Sequence, residues 1–363
     1  LGCGVRMYLT ALVLQLMLFD GLGVPFWFNV LITMSVVYLY TFRGGVKTLV
    51  WADMVQTLSL IIAVVLAIVY IAQALELTME GVVTKIAESP MSRVWFFDDV
   101  DDKRYFFKQF LAGMFTTIAM TGLDQDMMQK NLSCKSLADA RKNVLSYGVA
   151  FLPVNLLFLA LGVLLYIYAS HIGLADADGH LTMLKPDELF PYIATFVGLP
   201  TIVGVLFVVG IVAAAFSSAG SAVTALTTSV TIDMLRADRH NDTQHLTKVR
   251  SRVHIINCIV MGVLIWLFQI IGNGSVIDAV YVLASYTYGP LLGMYVYGLY
   301  TKRDVDDKWM PYICVAAPLL SYVISSNSEQ WFEGYKMGYE LLLVNGAITI
   351  CGMWLSRLKQ TKR

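Results

Sequence analysis

The amino-acid sequence predicts an all-α polytopic membrane protein, and two observations carry that prediction. Hydrophobic residues make up 57% of the 363 positions and charged residues only 14%, against about 25% charged residues in a soluble domain. Apolar runs such as TLSLIIAVVLAIVYIA and TIVGVLFVVGIVAAAF approach the ~20 residues that cross a hydrocarbon core. Each run should be helical, because lipid cannot satisfy the hydrogen bonds of an open backbone.

Polar breaks divide the apolar sequence into ten predicted spans. The sixth is too long for a single crossing, so we expect it to include a short external helix before Pro200. In chain order, the spans are residues 4–24, 25–42, 47–74, 106–129, 141–169, 190–233, 252–272, 275–300, 309–326 and 338–357.

Basic residues concentrate in alternate loops, which predicts the orientation of the chain. Loops near 43–47, 130–142, 236–252 and 302–308 are rich in Lys and Arg, whereas the stretch DDVDD at 98–102 lies in an opposite loop. The positive-inside rule makes the basic loops cytoplasmic. We therefore expect a multi-pass plasma-membrane protein with a cytoplasmic C-terminus, and the short connections favour a bacterial inner membrane.

Composition also argues against several classes of protein. The formal net charge is zero, with 26 basic and 26 acidic residues, so no bulk attraction to nucleic acid is expected. The five cysteines and five histidines are scattered, without HExxH or another metal-ligand spacing. An intramembrane enzyme would need a nucleophile–base pair or a metal cluster, so we expect neither catalysis nor an organic cofactor.

Hydroxyl groups cluster in the apolar stretch AAAFSSAGS at 213–221. On a helix, Ala214, Ser217, Ser218, Ser221 and Thr224 recur every three or four residues, which makes one narrow face small and rich in oxygen. Such a face is typical of close-packed helices in membranes. The pattern alone favours this packing role, and a site for a hard cation, which prefers oxygen ligands, is the alternative.

Carboxylates are costly inside a bilayer and usually mark function or water access. Asp20, Asp53, Asp124, Asp126 and Asp278 lie inside or at the edges of the predicted spans. Solvation at the interface accounts for Asp124 and Asp126. Asp53 lies in an otherwise apolar helix, so an interfacial role and a functional role both remain open for it.

Three motifs together resemble the solute:sodium symporter family, which includes the sodium/glucose, sodium/proline and sodium/sialic acid cotransporters. They are YTFRGGVKTLVWADMVQ at 40–56, GLDQDMMQKNLSCKSLADARK at 122–142 and AAAFSSAGS at 213–221. Their order and spacing match over essentially all 363 residues. The resemblance implies the leucine-transporter fold, in which two inverted five-helix repeats enclose a site at mid-depth.

On this resemblance, residues 1–363 form one transporter domain. Residues 1–74 would be the remainder of the first repeat, 106–300 the second repeat, and 309–357 two peripheral helices. Core helices one and two of the family would then be missing from the N-terminal side. We expect a chain without them to be inactive, because core helix one supplies carbonyls to sodium.

The resemblance also implies a sodium site. The Ala214 carbonyl and the Ser217 and Ser218 hydroxyls would form one half of it. Asp53 and Ser221 would belong to a second sodium site or to a release path towards the cytoplasm, although Gly220 offers no hydroxyl there.

The solute cavity is less well defined by the sequence. The positions aligned with the sugar-binding residues of relatives are Thr117, Met120, Phe151 and Tyr281, and none keeps the sugar-type residue. With Thr121 and Ser285, these residues could line a cavity for a small polar organic solute. Packing between helices is the alternative for each of them.

The sequence therefore predicts sodium-coupled symport of a small polar organic solute by alternating access. Sodium, the solute and the lipid bilayer are the expected partners. A proton-coupled transporter that uses Asp53 or Asp20 is one alternative. A solute sensor that keeps the fold without transport is another.

Overall fold

The computed structural model describes residues 2–43, 46–123, 128, 131, 134–176, 181, 184–236, 243–271 and 276–356. Within these ranges the chain is helical apart from loops and one isolated bridge, which confirms the all-helical fold class. The helices, numbered in chain order, are α1 (Gly2–Leu14), α2 (Phe26–Arg43), α3 (Val46–Ala74), α4 (Met79–Glu88), α5 (Phe106–Gly122), α6 (Leu137–His171), α7 (Leu189–Phe196), α8 (Thr201–Thr228), α9 (Thr243–Ile271), α10 (Val276–Tyr300), α11 (Met310–Ser326), α12 (Ser328–Trp331) and α13 (Leu341–Leu355).

Each of the ten predicted spans contains a helix. Five of the spans are occupied by α2, α5, α10, α11 and α13. The other five spans are occupied by helical segments long and apolar enough to cross a membrane, namely Gly2–Leu22, Asp53–Ala74, Leu137–His171, Thr201–Met234 and Thr243–Ile270. The sixth predicted span divides as expected, because α7 ends at Phe196 and α8 begins directly after Pro200.

Some helix boundaries differ from the prediction. The fourth span was expected to reach residue 129, but α5 ends at Gly122, since glycine is a poor helix former and polar residues follow. Asp124 and Asp126, predicted to be interfacial, lie outside the described residues. The fifth span was expected to begin at residue 141, but α6 begins at Leu137. The Ser136 hydroxyl caps this helix by accepting the Asp139 N–H at 3.1 Å.

Two of the described helices lie outside the predicted spans: α4, and the single turn α12 between the last two spans. α4 lies in the stretch between the third and fourth spans, where hydropathy indicated a loop. Its signal was local: the Thr78 hydroxyl accepts the Gly81 N–H at 3.2 Å, Glu80 lies in the first turn and Lys85 in the last. Val82, on its inner face, is buried.

The chain folds as two compact units. The first contains residues 1–92 and 135–276. Its core is formed by fully buried side chains of α3, α6, α7 and α8, including Ile71, Leu164, Ile193 and Val203. α8 lies centrally and packs against α1, α2, α3 and α9.

The second unit contains residues 93–134 and 277–363. Pro290 interrupts α10, and because proline has no N–H, the Tyr286 carbonyl loses its helical donor. The fully buried Asn345 of α13 replaces that donor. Its Nδ2 donates to the Tyr286 carbonyl at 2.8 Å and to the Ser285 carbonyl at 3.0 Å.

An exposed loop precedes α5 in the second unit. The Arg104 guanidinium donates to Asp102 Oδ2 at 2.8 Å, and these hydrogen bonds lower the pKa of Asp102 to about 2. A few residues on, the ammonium of Lys108 lies 3.6 Å from the centre of the Tyr335 ring, a cation–π contact.

Asn345→Ala is expected to destabilise the protein by about 1–3 kcal/mol, because it leaves a buried carbonyl without a donor. Thermal unfolding in detergent measures the effect. The matched control is Asn327→Ala, since Asn327 is only partly buried and its amide donates to the Val323 carbonyl at the end of α11, the helix that it caps. Equal melting temperatures for the two variants would contradict the capping role of Asn345.

Candidate functional site

The candidate sodium site lies where α3 and α8 cross in the first unit. The helices run antiparallel, since Leu60 lies against Gly210 while Asp53 lies against Ser217, seven residues away on each helix. A Cβ atom at Gly210 would lie 2.6 Å from Leu60 Cγ and 3.3 Å from the Leu60 backbone nitrogen. Glycine at this position therefore allows α3 to approach α8 closely.

The central contact of the site is a hydrogen bond between two helices. The Ser217 hydroxyl donates to Asp53 Oδ1. Ser217 is buried, with 5% of its surface exposed, and Asp53 is half-buried. Because the hydroxyl hydrogen is directed at the carboxylate, the lone pairs of Ser217 Oγ remain available for a cation. The nearby negative charge would favour that cation electrostatically.

The neighbouring serine differs in its bonding. The Ser218 hydroxyl makes no hydrogen bond to a described residue, so both its lone pairs are open to a ligand. The Ser218 carbonyl accepts from the Ser221 hydroxyl at 3.2 Å and from the Cys3 thiol at 3.5 Å. In a regular helix the Ala214 carbonyl accepts the Ser218 N–H, which leaves a second lone pair on that oxygen.

The structure thus brings part of the predicted set together. Asp53 and Ser217 are in contact, and Ala214 and Ser218 lie on the same helix within one turn of Ser217. The Ser221 hydroxyl instead donates to its own helix. Cys3 of α1 was not predicted near the site, and its position in the sequence carries no signal for this contact.

The candidate solute residues of the second unit lie on two helices. α5 carries Thr117, Met120 and Thr121, and α10 carries Tyr281 and Ser285. The Thr117 hydroxyl donates to the Gly113 carbonyl at 2.8 Å, and the Ser285 hydroxyl donates to the Tyr281 carbonyl at 2.9 Å. Neither hydroxyl therefore has a hydrogen left to offer a solute. Thr117 is exposed and can still accept a hydrogen bond, whereas Ser285 is buried, with 3% of its surface exposed.

The Tyr281 side chain differs from these two. Its ring packs against Tyr339 with centroids 5.1 Å apart, and its hydroxyl has no hydrogen bond to a described residue. Tyr339 itself donates to the Asp278 carboxylate at 2.6 Å, which gives that predicted intramembrane acid a local partner.

Two further predicted residues lie in the first unit. Phe151 lies on α6, where 55% of its surface is exposed and its ring is 5.9 Å from that of Tyr147. Asp20 is exposed after α1 and accepts a hydrogen bond from Gln15 at 2.7 Å. Neither residue contacts the Asp53–Ser217 pair in the part of the chain that the structure describes.

Comparison with known families matches residues 2–306 to the model of the sodium:solute symporter family. The chain belongs to this family. Its helical fold also matches that of a Na⁺-coupled sialic acid symporter in a substrate-bound, outward-open state, with a TM-score of 0.69 and 17% sequence identity. The match covers 98% of this chain and 71% of that chain, and it shows a shared fold.

Curated members of the sodium:solute symporter family are similar to this chain at low identity. The human sodium-coupled monocarboxylate transporter 2 is 27% identical over 310 residues, which cover 82% of this chain and 47% of that protein. The sodium/sialic acid symporter NanT of Aliivibrio fischeri is 22% identical over 358 residues, covering 94% and 66%. The chain therefore spans about half the length of the human relative.

Gly210→Ala is expected to separate α3 from α8 and to weaken the Asp53–Ser217 contact. We expect a loss of about 1–3 kcal/mol of stability and a smaller rise in melting temperature when sodium replaces potassium, because weaker binding stabilises less. Adding Leu60→Ala should restore part of both effects by making room for the new methyl group. Gly162→Ala is the control, since a Cβ there meets nothing within 4 Å. A Gly210→Ala protein that behaves like this control would refute the close-approach argument.

Proposed function

We propose that this member of the sodium:solute symporter family couples the entry of sodium to the uptake of a small organic anion by alternating access. The observation that supports this most directly is the bond from Ser217 to Asp53. It joins two apolar helices through a hydroxyl whose lone pairs remain free and a carboxylate, both of which suit a hard cation. Ala214 and Ser218 would complete this half of the site.

The chemistry of the site favours sodium over a proton. Hydroxyls do not titrate in the physiological range, but their oxygens can replace water around an alkali ion. Sodium entry down the membrane potential supplies about 2.3 kcal/mol per charge per 100 mV. Asp53 would attract the ion electrostatically as it leaves the site. The positive-inside rule, applied to the basic loops, supports an exit on the cytoplasmic side of a plasma membrane.

The solute class is proposed from relatives and from donor chemistry. The names of similar proteins specify monocarboxylates, iodide and sialic acid, which are anions, so we propose a small monocarboxylate. Thr117 and Ser285 have already directed their hydrogens into their own helices. Tyr281 would then be the donor on α10 that binds the carboxylate.

Proton coupling is the second candidate, because Asp53 is a titratable group within an apolar helix. Under proton coupling, Asp53 would bind the coupling ion and the serine hydroxyls would not be needed for it. The two candidates therefore make opposite predictions for the serine variants.

The first test measures solute uptake by proteoliposomes that contain the natural protein, of which this 363-residue sequence is part or the whole. Radiolabelled monocarboxylates, sialic acid and neutral sugars are compared with and without an inward sodium gradient. We expect sodium-driven uptake of a monocarboxylate, and its loss in the Ser217→Ala/Ser218→Ala double variant. Thr228→Ala is the control, because Thr228 is an exposed hydroxyl on the same helix that donates to its own backbone. Uptake that follows a proton gradient and survives the double variant would refute sodium coupling.

Tyr281→Phe separates solute binding from sodium binding. Removing a donor to a carboxylate costs about 1.5–3 kcal/mol, so we expect KM for the solute to rise roughly tenfold or more. The sodium concentration that gives half-maximal uptake should stay the same. An unchanged KM would exclude Tyr281 as the carboxylate donor.

A further inference from the structure

A buried histidine joins three helices of the first unit, away from the Asp53–Ser217 pair. His254 of α9 has 6% of its surface exposed. Its Nε2 lies 2.8 Å from the Thr41 hydroxyl of α2, and its Nδ1 lies 3.2 Å from the Thr227 hydroxyl of α8. The Tyr38 ring packs against the imidazole with centroids 5.6 Å apart. Both ring nitrogens therefore face a hydroxyl oxygen.

The hydrogens of these two hydroxyls have other acceptors within reach. Thr41 Oγ1 lies 2.8 Å from the Val37 carbonyl, and Thr227 Oγ1 lies 2.6 Å from the Val223 carbonyl. Each hydroxyl has one hydrogen and two lone pairs. Thr227 Oγ1 uses one lone pair to accept from Asn257 Nδ2 at 3.2 Å, so when both hydroxyls donate to their carbonyls, each still presents a lone pair to the ring. A neutral imidazole has one N–H and satisfies one of them, whereas an imidazolium has two and satisfies both.

A small polar cavity reaches the same ring. Its volume is about 170 Å³, room for several water molecules, and His254, Thr41, Thr227, Thr247 and Arg250 are part of its lining. Thr247 also directs its hydrogen to a helix carbonyl, that of Thr243, at 2.8 Å. These threonines therefore offer hydrogen-bond acceptors to water in the cavity, whereas the Arg250 guanidinium on the same lining disfavours a second positive charge. Water in the cavity would carry the proton.

The charges around the ring are few among the described residues. On its own helix, Arg250 lies one turn earlier and would repel an imidazolium; from α2, Tyr38 is the titratable group that faces the ring. α8 contributes threonines. Asp233, in the turn after α8, is exposed and accepts a hydrogen bond from Ser229. Two acceptors therefore favour the proton, while burial of the ring and the Arg250 charge oppose it.

We propose that His254 is a proton-binding site that ties α8 to α2 and α9. With the proton bound, both ring N–H groups hold a threonine of a neighbouring helix. Without it, one threonine hydroxyl must turn away from its carbonyl to donate to the ring. Thr227 lies ten residues after Ser217 on the same helix. Acid on the side of the cavity therefore stabilises this end of the sodium-site helix and slows the transport cycle.

The first experiment measures protonation directly and does not depend on transport. Deuterium exchange at the imidazole C2–H of each histidine is followed by mass spectrometry from about pH 5 to about pH 8, using the natural protein in detergent. We expect His254 to titrate in this range. Thr41→Val and Thr227→Val should each move its midpoint to lower pH by about one unit, because each removes an acceptor for the imidazolium. A His254 without an inflection, or one whose midpoint both variants leave in place, would overturn the proposal.

The second experiment measures sodium-driven uptake while the pH on each side of the membrane is varied separately. We expect acid on one side to slow uptake severalfold, and His254→Gln to abolish that effect. His245→Gln is the matched control, since His245 is an exposed histidine on the same helix, and it should keep the effect. Retention of the pH effect in His254→Gln contradicts the proposal. Should uptake be independent of sodium in every protein, the proposed function fails, while the exchange titration still decides the role of His254.

Discussion

The close approach of α3 and α8 is the constraint on which the candidate site depends. Gly210 has no side chain to hold Leu60 away, so the two helices can lie near enough for Ser217 to reach Asp53 two turns further along. A carboxylate in an apolar helix is stabilised by such a donor, because lipid provides none. The same closeness then leaves a hydroxyl oxygen and a negative charge side by side, which is a starting point for binding a small cation.

Other hydroxyls in the apolar helices show why Ser217 is distinctive. Thr57, Thr117, Ser285 and Thr349 each donate to the carbonyl four residues earlier in their own helix, which satisfies the hydrogen without any partner helix. Ser217 instead donates to a side chain 164 residues away in the sequence. This hydrogen bond between two helices is the observation on which the proposed sodium site rests.

Hydropathy and resemblance predicted the helical spans and the family, but not which faces meet. α3 is apolar on nearly all sides, so its periodicity does not select an inner face. The partnership of Cys3 with Ser218, and that of Thr41 with His254, each join residues more than 200 positions apart, and no local pattern specifies them. α4 was missed for the opposite reason, because its signal lies in caps and end charges, which a search for apolar runs does not weigh.

The second unit shows a similar inter-helix hydrogen bond at a helix that contains a proline. Pro290 frees a carbonyl of α10, and Asn345 satisfies it from α13. Tyr339, just before α13, also binds Asp278 near the start of α10 and packs on Tyr281. α13 and Tyr339 therefore contact α10 at several points. Both lie beyond residues 2–306, the range that the family model matches. The geometry of α10, on which the proposed carboxylate donor Tyr281 lies, therefore depends on a segment that family resemblance alone would treat as peripheral.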